Sequence, residues 1–65
     1  MQIKDVKVFL HLFFFGNDIY SANTIDRKVL PDVIRFCLEN EIIDVVWKEE
    51  MRLYRILPKG KQMLS

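Results

Sequence analysis

No intrachain disulfide can form in this sequence, because its 65 residues contain a single cysteine, Cys37. A reducing, cytoplasmic setting is therefore expected. Glycine is equally scarce. Gly16 and Gly60 stand alone, so no glycine-rich loop exists to cradle phosphates. One cysteine and one histidine cannot supply a tetrahedral zinc site, and no carboxylates cluster in the manner of a calcium or magnesium site. Neither a metal nor another cofactor is expected. Charge of one sign is also missing: ten Lys and Arg against nine Asp and Glu leave +1. No global basic field announces nucleic acid, so a DNA-binding reading must rest on local placement.

Long apolar runs are lacking too. The longest, VFLHLFFF, follows two lysines and resembles a signal peptide at first sight. Asp5 and His11 interrupt it, no small-x-small cleavage site follows, and it is far too short to span a bilayer. A core helix is the expectation, with no membrane partner. Repeats, low-complexity segments and linkers are absent, so residues 1–65 read as one domain. Nucleophilic catalysis needs a base within hydrogen-bond reach and a group to orient it. Cys37 falls on the inward face of one expected helix and His11 among the aromatics of another, so no enzyme is expected.

What the chain has in quantity is core material. Hydrophobic residues make up 51%, including five Phe, two Tyr and one Trp. A domain this small hides only roughly 60% of the surface its unfolded chain exposes. The apolar supply exceeds what one such core needs, which favours a homodimer. From Ile3 to Phe15 apolar residues recur at helical spacing, with Ile3, Val6, Phe9, Leu10 and Phe13 on one face. Lys4, Lys7 and His11 form an opposite strip. Val8, Leu12 and Phe15 make a second apolar group beside that strip, fitting either a helix covered on both sides or a dimer seam. Gly16 supplies a left-handed exit.

Ile19-Tyr20 suits a short strand. Ser21 is a good N-cap for a brief helix over Ala22 to Asp26, leaving Arg27 to Leu30 as a turn. Pro31 fits the first position of a further helix running to Glu39. Its inward face is Val33, Ile34, Cys37 and Leu38. Its outward face is Asp32, Arg35 and Glu39, with Phe36 on the border. Asn40 suits a left-handed exit. Two strands follow, Ile42 to Trp47 and Leu53 to Leu57, joined by the charged connection Lys48-Glu49-Glu50-Met51. Pro58 then starts a last short helix ending at Leu64. Leu38 and Ile42 are expected to be fully buried where helix meets sheet.

The run Leu38-Glu39-Asn40, Ile42-Ile43, a charged hairpin, and Tyr54-Arg55-Ile56-Leu57-Pro58-Lys59-Gly60 resembles the C-terminal half of winged helix-turn-helix domains. Leu57 and Pro58 replace the threonine that relatives commonly carry as the cap of the last helix. The resemblance implies an α+β fold with three helices, a two-stranded β-hairpin wing and a short C-terminal helix. It also implies a small DNA-binding transcription regulator whose third helix (31–39) and wing (47–53) contact double-stranded DNA. Arg27, Lys28, Arg35, Lys48 and Arg52 are the contacts expected on that basis. Acidic Asp32, Glu39, Glu49 and Glu50 count against it, because acids facing phosphates are repelled unless they accept from cytosine. The alternative is a protein-interaction module without DNA binding. Phe36, Trp47 and Met51 would then form a docking patch for a protein partner, unless they are only core-edge packing. A purely structural homo-oligomer is the third class, resting on Val8, Leu12 and Phe15.

Overall fold

The first helix forms where the apolar spacing places it. A computed structural model describes residues 1–65 and shows α1 over Ile3–Phe14. The Asp5 carboxylate accepts from the Gln2 amide at 3.0 Å, closing the first turn. Val6, Phe9, Leu10 and Phe13 face the core as expected, and Phe14 joins them. Ile3 does not. It is exposed at the start of the helix, before the rest of the domain reaches across to cover it. Gly16, at φ 85°, ends the helix in the left-handed region that glycine tolerates.

β1 (Ile19–Ser21) hands over directly to α2 (Ala22–Lys28). The Ser21 hydroxyl accepts from the Thr24 amide at 3.3 Å, as an N-cap should. α2 runs two residues further than its sequence suggests, because Arg27 and Lys28 stay helical and favour its negative C-terminal end. The turn is thus shortened to Val29 and Leu30. Leu30 is extended (φ −61°, ψ 138°), which suits a residue preceding proline. α3 occupies Pro31–Glu39 as expected and buries Val33, Ile34 and Cys37.

The exit from α3 corrects two expectations. Glu41, not Asn40, takes the left-handed conformation, at φ 58°. The Ile42 amide reaches back to the Cys37 carbonyl (2.9 Å) and the Glu41 amide to Leu38 (3.4 Å), the bonding of a Schellman motif. Asn40 uses its side-chain amide instead, donating to the Phe36 carbonyl at 2.9 Å. Leu38 is only half-buried, since this exit sends Cys37 and Ile42 to the interior and leaves Leu38 at its border.

β2 (Ile43–Lys48) and β3 (Met51–Ile56) form the hairpin. Lys48 and Met51 pair within it, so Glu49 and Glu50 alone make the loop. Both have positive φ, 50° and 66°, as the tight primed hairpin turn requires. β3 is central, flanked by β1 and β2, and every pairing is antiparallel. α4 (Pro58–Met63) closes the chain against the sheet. Leu57 lies outside the strand as the N-cap of that helix. The result is an α+β domain of four helices and a three-stranded antiparallel sheet, with fourteen buried residues in one core.

Candidate nucleic-acid interface

The expected basic contacts fall on three neighbouring elements. Arg27 and Lys28 end α2, Arg35 lies mid-way along α3, and Lys48 ends β2. All four are exposed. The chain's ion pairs are Arg52–Asp26, Arg55–Asp44 and Lys61–Asp18, which leave those four side chains without a carboxylate partner. Unpaired surface cations of this kind are free to neutralise phosphates.

Arg52 differs. Its guanidinium lies 2.9 Å from Asp26, donates to the Tyr54 hydroxyl at 2.8 Å, and sits 5.2 Å from the centre of the Tyr54 ring. A weaker bond joins it to Asn23 at 3.4 Å. The Tyr54 hydroxyl in turn donates to Asp26 at 2.7 Å. Arg52 is thus held against α2 rather than extended from the hairpin. Burial, then the hydrogen bond and charge of Asp26, push the Tyr54 pKa up to about 12, against a smaller opposing pull from Arg52. The sequence gives no site role to Asp26 or Asn23, and marks Tyr54 only as part of the winged-helix resemblance. Their partnership spans 28 residues and no local pattern announces it.

The acids are not equivalent. Asp32, in the first turn of α3, turns its carboxylate to the Val33 amide at 2.9 Å. Glu39 and Glu41 line a hollow at the far end of that helix, with Asn40, Pro58 and Lys59. Glu49 and Glu50 form the hairpin tip. Asp44 is matched by Arg55 through bonds of 3.1 and 2.6 Å.

The three large apolar residues separate. Phe36 is half-buried against the core. Trp47 stands opposite Arg52 and Met51 opposite Lys48 in the register, so alternation sends them to different faces of the hairpin. Both are exposed, and both line a hollow at the hairpin edge with Ser21, Asn23 and Leu53. Cys37 is fully buried, which pushes its thiol up to about 11. His11 is exposed and stacks on Phe15 at 5.8 Å. No helix is long and apolar enough to cross a membrane. Compared with protein-family models, curated proteins and solved structures, the chain matches none.

Proposed function

We propose that this chain is a winged-helix domain that binds double-stranded DNA as a transcription regulator, with α3 in the major groove and the β2–β3 hairpin as its wing. The observation that carries this reading is a set of exposed cations without carboxylate partners on the elements in question. Unpaired Arg27 and Lys28 stand at the end of the helix before α3, unpaired Arg35 lies on α3, and unpaired Lys48 lies on the hairpin. The element order helix–strand–helix–helix–hairpin supports it, because this order presents α3 and the wing as the two protrusions a duplex would meet. Asp32 stands in the first turn of α3, where a negative charge suits the positive end of the helix, which gives that acid a reason to be there apart from any ligand.

In this reading Arg27, Lys28 and Lys48 contact phosphates and Arg35 reaches base edges. Arg52 braces the wing. Lys28→Ala weakens binding to every duplex alike, whereas Arg35→Ala also relaxes preference at one position, by about 1–3 kcal/mol for a bidentate contact with guanine. Filter binding with both variants is the test. Arg35→Ala binding as tightly as the parent at every salt concentration removes α3 as the reader.

A second reading, a protein-interaction module, is favoured by one observation. Trp47, 66% exposed, and Met51 flank a hollow at the wing edge. It requires that Trp47→Ala abolish capture of a protein partner while DNA binding is absent throughout.

A further inference from the structure

α1 spends one side on the core and leaves a second apolar side bare. Val8 is 56% exposed, Leu12 72% and Phe15 71%. Val8 and Leu12 form one wall of a shallow apolar groove; Leu30, 69% exposed, and Val29 stand on the other. Phe15 continues the wall, three residues beyond Leu12 and seven beyond Val8, as helical spacing dictates. None of these exposed side chains contributes to the domain's own core. Lys or Glu would serve a solvated face better.

The spacing identifies what fits there. Val8, Leu12 and Phe15 follow one another by four and three residues, the spacing with which one helix packs along another. The helix in this chain that carries such an uncovered seam is α1 itself. We propose that a second copy of this chain covers the face, with two α1 helices crossing about a two-fold axis. Antiparallel crossing sets Val8 beside Leu12 of the partner subunit; a parallel arrangement would press Asp5 against its own counterpart.

Area is compatible with a second copy. The four exposed apolar side chains present on the order of 500 Å², near the upper end for a largest apolar patch on a monomer. Complete burial of these side chains in both copies would hide about 1,000 Å², the lower bound for a specific interface and the size of a weak, reversible one. The interface does not depend on DNA binding, although a two-fold pair would present two α3 helices.

Sedimentation equilibrium from micromolar to near-millimolar concentration tests this. The mass is expected to climb from 7.8 kDa toward twice that value, and Tm to rise with concentration. Leu12→Glu should weaken association by about tenfold or more while leaving the far-UV spectrum unchanged. Trp47→Glu, equally exposed but off this face, should leave the mass unaltered. A monomer at every concentration overturns the proposal. So does a dimer that survives Leu12→Glu, or one that Trp47→Glu dissolves as readily. A dimer that ignores duplex DNA leaves this interface standing and sinks the DNA reading; a monomer that binds DNA does the reverse.

Discussion

Tyr54 joins the sheet to α2 through a hydroxyl that both donates to Asp26 and accepts from Arg52. Removing it as Tyr54→Phe leaves the Asp26–Arg52 pair in place but deletes two hydrogen bonds, and should cost about 1–3 kcal/mol. The same residue sets a pH dependence. Its pKa is about 12 in the fold against an ordinary 10.0. The folded chain therefore holds this proton where the unfolded chain releases it. The contribution is complete below pH 10.0 and is lost as the pH climbs to about 12. Urea unfolding across that window should show the parent losing stability and Tyr54→Phe losing less. Equal slopes for the two would contradict the assigned network. Nothing in the sequence pointed to this contact, whereas the Ser21 cap was legible because capping is local. Glu41 shows the same limit in another form. The need for a left-handed exit was legible, but Asn40, the better residue for it, found a carbonyl to bond. The strained conformation passed to its neighbour.

Element boundaries followed from local chemistry where proline or a capping residue fixed them. Pro31 and Pro58 start α3 and α4 at the residues expected. The end of α2 is not legible in the sequence, because Arg27 and Lys28 suit a helix end as well as a turn. The hairpin loop is shorter than its sequence suggests for a related reason. Glu49-Glu50 lacks the glycine or asparagine that marks a primed turn, although both residues adopt its positive φ. Gly60 makes a sharper case at the α4–sheet contact. A methyl group there would stand 2.6 Å from the Ile42 carbonyl oxygen and 2.7 Å from Ile56 Cγ1. The carbonyl belongs to backbone and cannot step aside. Overpacking of about 1–3 kcal/mol should outweigh the gain of about 1 kcal/mol that alanine brings to a helix. Gly60→Ala should therefore lower Tm by several degrees in a thermal melt. A variant that melts above the parent would mean that α4 does not pack so closely.

At the scale of the whole molecule, the helix–strand–helix–helix–hairpin order was legible because apolar periodicity switches from helical to alternating near Ile42. The candidate interface was legible only as composition. The resemblance to winged helices named Arg27, Lys28, Arg35, Lys48 and Arg52 together, but could not reveal that Asp26 pairs with Arg52. Nor could it separate Trp47 from Met51, which depends on strand register. With a net charge of +1, long-range attraction is slight, and binding must come from contacts made at close range. The central claim is therefore a claim about counterions. Titrating a labelled random-sequence duplex by fluorescence anisotropy at a series of salt concentrations tests it most directly. With Arg27, Lys28 and Lys48 on phosphates, the logarithm of the binding constant should fall against the logarithm of salt with a slope of about −3 per copy, and Lys28→Ala should reduce that slope by about one. No binding at low salt, or binding that salt leaves unchanged, would contradict the account.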